Sequence, residues 1–384
     1  MQITAIETIT YDPDSSLTDT ERDIGITTLR MHTDEGLVGL GETFPFPELE
    51  TAALHGPIAR QVLGADPRDI QGLRDDLATY FNYYGHAGAE WRAVSALDIA
   101  CWDLKGKAAG EPIYQLLGGK ARDAIPTYNT SYDQEYDFMT EPVALAESLL
   151  EQGITSMKIW PFDAFATKTR GQRISTRDLE AGLEPIKRIQ ETVGDTMDVA
   201  IEFHGLWALP PAKRLVRAVE PYDPLWVEDV IRKGDLDAYT RLAADTDAPM
   251  CVSERLIGRY EFRQAIRTGA IDVVMPDPCW TGGISETRAI AELAEAEHLP
   301  VAPHNSGGPV LHAVDAHLAT TIPNLFAMET IRDRYDGWHR NLVTEPLSVV
   351  DGELPIPDGP GLGTTFEESL LDHPDTTVRR TELD

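Results

Sequence analysis

A chain of 384 residues, 42% of them hydrophobic, can bury one large core or two smaller ones. Its formal charge of −31 makes nucleic acid and anionic membranes poor partners, because like charges repel. No stretch approaches the apolar length of a membrane helix, and MQITAIETIT lacks the basic lead and apolar run of a signal peptide, so a cytoplasmic protein is expected.

Lysine supplies only eight of the 33 basic residues. Abundant Asp and Glu with scarce Lys suits a hydrated acidic shell of the kind carried by proteins of salt-loving organisms. The three cysteines, Cys101, Cys251 and Cys279, sit in unrelated segments without metal-type spacing, so free thiols are expected, buried at Cys101 and Cys251.

Residues 1–45 alternate apolar and polar positions. ITAIETIT and IGITTLRMHT, then LVGLGET after a TDEG turn, predict an antiparallel sheet. The stretch FNYYGHAG, with Tyr83, Tyr84 and His86, is a turn-like patch that could face the mouth of the barrel predicted for residues 123–331. From Glu90, the residues Trp91, Val94, Leu97, Cys101 and Leu104 recur at helical spacing until Gly110 and Pro112 stop the run. Residues 1–122 therefore predict an N-terminal α+β domain that caps the rest of the chain.

Residues 123–331 repeat strand, turn and helix. AIPTYNTS opens the series; SMKIW, VAIEFH, LWVED, CVSER, VVMPD, VAPHN and FAMET come after it. From VAIEFH onward they recur about every 25 residues, the length that a strand-plus-helix unit needs. The strands are Val-, Ile- and Met-rich without alternation, as expected where both faces are covered. The helix from Thr176 carries Leu179, Leu183, Ile186 and Ile189 on one stripe and ends at Gly194. Eight strands, near 126, 158, 201, 227, 252, 274, 302 and 327, predict an α/β fold of the (β/α)8 type, a TIM-like or modified barrel. DAFATKTRGQRISTR, residues 163–177, is a polar insertion expected to form a mobile lid or substrate loop. Residues 332–384, with VDGELPIPDGPGLG, are expected to pack back on the capping domain and complete it.

A parallel barrel gathers its strand ends at one mouth, where Lys158, Glu202, His204, Glu228, Glu254, Asp277, His304 and Glu329 would converge. Adjacent strands lie about 4.8 Å apart. Glu202, Glu228 and Glu254 at equal height could therefore share one divalent ion, and buried like charges repel unless a cation neutralises them. All-oxygen ligands suit Mg²⁺, one per subunit, with Mn²⁺ as the alternative; helix-capping acids are the bland reading. Asp277 can orient the ring of His304 and leave its other nitrogen as a general base. His204, two residues past Glu202, would share its side of the strand and serve as a further ligand or a general acid, unless it is a solvated loop histidine. Lys158 could act as a base or support an anion. Glu329 could hold a hydroxyl or share a proton with an enolate oxygen. Trp160, as a flat wall, and Asn305 are candidate substrate contacts, with simple packing the alternative at Trp160.

These residues resemble the mandelate racemase and muconate lactonizing branch of the enolase superfamily along nearly the whole chain. The resemblance rests on GLGE, RAVSALDIACWDLKGKAAGEPIYQLLGG, the acids of IEFH, VED and SER, PHNSGGP and PDGPGLG. It implies a carboxylate substrate on Mg²⁺, a base that removes the proton alpha to the carboxylate, and an enediolate held by the metal, a chemistry common to that superfamily. By position it implies Glu202, Glu228 and Glu254 as ligands and His304 with Asp277 as base. Racemases of that pattern carry Lys-x-Lys on the second strand, whereas this chain reads Lys158-Ile159-Trp160, which weighs against racemisation. In the acid-sugar dehydratases a histidine two residues after the first ligand protonates the departing 3-hydroxyl, and His204 holds that place, although that ligand is Asp in many relatives and Glu202 here. The resemblance thus implies a dehydratase of an aldonate or aldarate that yields a 2-keto-3-deoxy acid. The alternative is a cycloisomerase or epimerase using the same enediolate, with Lys158 opposing His304. A binding protein that kept the fold is the third reading. The resemblance also implies a homo-oligomer acting on a small-molecule carboxylate.

Overall fold

A computed structural model describes residues 1–11, 25–85, 87–132 and 135–383. The alternating N-terminal runs become strands β1 (Ile3–Tyr11), β2 (Thr27–Thr33) and β3 (Val38–Thr43), paired antiparallel. Their buried residues, among them Ile3, Ile6, Leu29 and Met31, pack against Val94, Leu97, Cys101 and Leu104 of the helix Ala89–Ala109. That packing explains GLGE. A Cβ at Gly39 would lie 2.5 Å from the carbonyl oxygen of Ala100, and one at Gly41 would run into that of Ala96. Only glycine lets this strand lie so close to the helix.

The parallel ring comprises β4 (Ile125–Thr130), β5 (Ser156–Ile159), β6 (Asp198–Glu202), β7 (Val227–Glu228), β8 (Met250–Val252), β9 (Val273–Val274) and β10 (Met328–Thr330), with β10 paired to β4. The position expected near 302 holds a single bridging residue, Val301, joined to Val274 and Leu325, which closes the ring. Tyr128, Ala200, Trp226, Cys251, Val273, Met275, Ala302 and Ala327 pack as one cluster drawn from these strands and the residues that flank them. On β5, Lys158 is buried beside them, its Nζ 5.9 Å from the Tyr128 ring centre. All three cysteines are free and buried. Among the described residues no helix is long and apolar enough to cross a membrane.

The last segment touches both parts of the molecule. Strand β11 (Glu353–Leu354) pairs antiparallel with β4, Leu362 N donates to Asp103 Oδ1 at 2.9 Å, and β12 (Thr376–Glu382) adds to the edge of β1.

Two segments read as loop or turn are partly helical. The 163–177 insertion is half helical. Asp163–Thr169 forms a helix, Ala166 and Ile174 are buried, and Phe162 stacks on Phe203 with ring centres 5.4 Å apart. Phe162 and Ala166 lie four residues apart, so one helical face anchors a segment whose composition reads as loop. Tyr83 and Tyr84 are 85% and 70% exposed and pack on each other at the end of the helix Ile70–Tyr84; His86 lies outside the described residues.

Glu42 ties the capping sheet to the barrel. Fully buried, it accepts backbone N–H bonds from Gly308 (2.6 Å), Val310 (3.1 Å) and Leu311 (3.4 Å) at the start of the helix Pro309–Thr321. These are the free donors of a helix N-terminus, where negative charge is favoured. Burial nevertheless raises this carboxyl to about 7, despite those bonds. Glu42→Ala is expected to lower unfolding stability by about 1–3 kcal/mol, because three donors lose their acceptor. Urea unfolding at neutral pH checks this, and an unchanged midpoint would show that water replaces the carboxylate without cost.

Candidate active site

Glu202 ends β6 and Glu228 ends β7, and the two are register partners. The partner of Glu228 on β8 is Cys251, so Glu254 lies three residues further on, in the turn after that strand. Equal height therefore holds for the first two acids and not for the third. Glu202 Oε1 accepts the backbone N–H of Phe203 at 3.1 Å and that of His204. Burial pushes both carboxyls above the usual range, and in Glu228 the charge of Glu202 adds to that rise.

Lys158 supplies the nearest positive charge. Its ammonium lies 3.1 and 3.0 Å from the two oxygens of Glu228, 2.8 Å from Glu329 and 3.9 Å from Glu202, with the side chain 3% exposed. Burial opposes its charge, but Glu228 and Glu329 outweigh it and hold the lysine protonated. Glu329 also takes the N–H of Asn305 at 2.8 Å and the hydroxyl of Thr130. Burial alone would raise this carboxyl; Lys158 and His304 hold it well below the usual range. Glu329 is thus an acceptor rather than a proton donor.

Among the described residues no three His, Cys, Asp or Glu side chains stand grouped to hold a metal ion. The donor chemistry still fits a hard divalent cation. Glu202 and Glu228 are adjacent and buried, offer only oxygen, and crowd negative charge that Lys158 must also share with Glu329.

His304 and Asp277 come together as expected. Asp277 Oδ2 lies 2.8 Å from His304 Nδ1, while its Oδ1 accepts the Cys279 N–H at 2.7 Å. A carboxylate at Nδ1 fixes the tautomer and leaves Nε2 as the working nitrogen. Nε2 has Ser306 Oγ at 3.4 Å and oxygens of Glu254 and Glu329 each at 3.8 Å. Burial lowers the basicity of this ring, yet Glu329, Glu254 and Asp277 together raise it to about 9.

His204 is placed differently from the expectation. It lies past the end of β6 with φ of 49°, so strand alternation does not aim its ring. Asp163 does so instead: Oδ2 sits 2.7 Å from His204 Nδ1. The ring is 38% exposed and meets the edge of Trp160 at 5.8 Å between centres. Trp160 itself packs with Tyr132 (4.6 Å) and Phe138 (4.9 Å), which makes it part of an aromatic wall behind His204. Asn305 is buried with its amide 3.4 Å from His312, turned into protein.

Sequence reasoning missed Asp163, Thr130, Trp280 and Arg92. Asp163 opens the supposed loop, and only its place directly after the second strand could have drawn attention to it. Trp280 sits one turn beyond Asp277, with its ring 6.3 Å from that of His304. Arg92 is carried on the capping helix, which no strand-end pattern reaches.

Two family models match the chain. The mandelate racemase / muconate lactonizing enzyme N-terminal domain matches residues 5–118, and the enolase C-terminal domain-like model matches residues 141–370. D-gluconate dehydratase of Thermoproteus tenax is 31% identical over 345 residues, 90% of this chain and 68% of the relative. D-galactonate dehydratase of Ralstonia nicotianae is 32% identical over 358 residues, 89% of each. A solved enolase of the mandelate racemase subgroup from Agrobacterium tumefaciens is similar with a TM-score of 0.90 and 44% identity, covering 100% of this chain and 99% of that one.

Proposed function

Because the chain belongs to the mandelate racemase/muconate lactonizing enzyme family of the enolase superfamily, we propose that it is a sugar-acid dehydratase, a carbon–oxygen lyase. The observation that carries this reading is the His304–Asp277 dyad, accompanied by a second oriented histidine, His204 with Asp163. One imidazole can take a proton while the other gives one, which elimination of water requires.

His304 Nε2 takes the proton from C2 of the substrate, next to its carboxylate. The electron pair left at C2 forms the C2–C3 double bond as the 3-hydroxyl departs, and His204 gives that hydroxyl its proton, so that water leaves. The resulting enol tautomerises to a 2-keto-3-deoxy acid. Glu202, Glu228 and Glu254 would hold a divalent cation, which when bound supplies positive charge to a carboxylate that becomes more negative as C2 loses its proton. Lys158 adds its own charge on the same side, and Glu329 accepts a hydrogen bond from a substrate hydroxyl.

The epimerase alternative needs a second base. Lys158 is its candidate, but two ion pairs keep its ammonium protonated, which favours elimination. The test is incubation with C4–C6 aldonic and aldaric acids and Mg²⁺, read by semicarbazide for keto acids. At least one acid should yield product, and EDTA should stop it. Exchange of the C2 proton in deuterated water without any keto acid would replace this reading with the epimerase.

A further inference from the structure

Among the described residues the guanidinium of Arg92 makes no hydrogen bond or ion pair. Arg92 is half-buried, whereas the fully buried Lys158 and Arg30 are both ion-paired. Arg92 sits in the first turns of the helix Ala89–Ala109, whose Trp91 donates to Thr281 O at 3.0 Å and so fixes the helix against the turn following Asp277. Its Cζ lies 3.9 Å from the ring centre of Trp280 and 5.6 Å from that of Phe46. Trp280 is in turn the ring beside His304. The carboxylates that act on Arg92 are Glu50, Asp277, Glu254 and Glu90, none of them in ion-pair contact with it. Glu50 is engaged with Thr27 and Phe46 N, and Glu90 with the N–H groups of Ala87 and Gly88.

A guanidinium stacked on an indole spends its flat face there and keeps its in-plane N–H fork free, the geometry that grips a carboxylate with two hydrogen bonds. The reacting carboxylate belongs near Lys158 and the acids that crowd it. Arg92 makes no ion pair with those acids and stands on the capping helix, on the ring of Trp280 that neighbours His304. Given the dehydratase reading above, the geometry points to Arg92 as the binding residue for a second carboxylate at the far end of the substrate. The substrate class is then an aldarate, a sugar diacid, in contrast to the monoacids in the names of the two dehydratase relatives. A purely structural Arg92 would only offset the charge of Glu50.

Steady-state kinetics of the Mg²⁺-loaded enzyme on five- and six-carbon aldarates, the matching aldonates and a terminally phosphorylated aldonate separate these roles. The wild type should favour an aldarate over its aldonate at least 10-fold in kcat/KM. Arg92→Gln should lower the aldarate value 30-fold or more, chiefly through KM, leave the aldonate within about 3-fold, and be partly rescued by Arg92→Lys. Equal losses on both classes, or a wild-type preference for aldonates that Arg92→Gln does not alter, would overturn the proposal. So would a preference for the phosphorylated acid. If no acid gives a keto product the dehydratase reading itself fails. Thermal shift then decides the site alone: an inert sugar diacid should raise the wild-type melting temperature more than its monoacid, and Arg92→Gln should erase that difference.

Discussion

Exchange of His304 for asparagine is expected to lower turnover by about 10³-fold or more, the scale of losing a positioned acid–base group. Proton exchange at C2 in deuterated water should vanish with it, because the same Nε2 takes that proton. His204→Asn should behave differently: keto acid is lost, while C2 exchange continues. That split ties each histidine to one bond. Retained exchange in His304→Asn would remove it as the base. The environment of His304 adds a second readout. Burial disfavours its imidazolium, but the carboxylates of Glu329, Glu254 and Asp277 favour it up to a pH of about 9. Without a cation, His304 therefore binds its proton throughout the neutral range and cannot accept another. Mg²⁺ among Glu202, Glu228 and Glu254 would offset that negative field. The His304 midpoint, followed by NMR, should accordingly fall when Mg²⁺ is added, and a midpoint unmoved by Mg²⁺ would separate the cation from the base.

The barrel was legible in the sequence because each unit repeats the same physical demand: a short apolar strand covered on both faces, then a polar residue at its open end. The recurrence near 25 residues locates Glu202, Glu228, Asp277, His304 and Glu329 without knowledge of any contact. Glu254 shows the limit of that inference. A strand end read from composition is uncertain by a few residues, and three residues beyond Cys251 place an acid in a turn rather than beside Glu228. His204 shows another. Alternation applies only while the backbone stays extended, and a φ of 49° ends it. Arg92 and Glu42 were hidden for a different reason. Both act across the boundary between the capping sheet and the barrel, where sequence separation carries no signal and only the packed structure brings the groups together.

Lys158→Met is expected to destabilise the metal-free protein by about 3–5 kcal/mol, the cost of leaving buried charge without its partner. Methionine preserves the shape of the stem and removes only the ammonium, so the loss reports electrostatics rather than a cavity. Glu228 and Glu329 would then stand buried without the cation now within 3.1 Å of both. Part of that penalty is avoided if Glu228 binds a proton, since burial already pushes it upward. Glu329 loses Lys158, the larger of the two charges that hold it low, and keeps only His304 against the effect of burial, so it too can avoid part of the penalty by binding a proton. A divalent cation bound by Glu202 and Glu228 should substitute for the missing charge. Mg²⁺ ought therefore to raise the melting temperature of Lys158→Met by more than that of the wild type, in keeping with a ligand that binds only the folded state. Equal shifts in the two proteins would mean that the ammonium and the ion do not answer the same carboxylates. Glu228→Gln in the Lys158→Met background supplies the control: removing the orphaned charge should recover stability and abolish the extra Mg²⁺ response together, a coupling expected only between groups in direct contact.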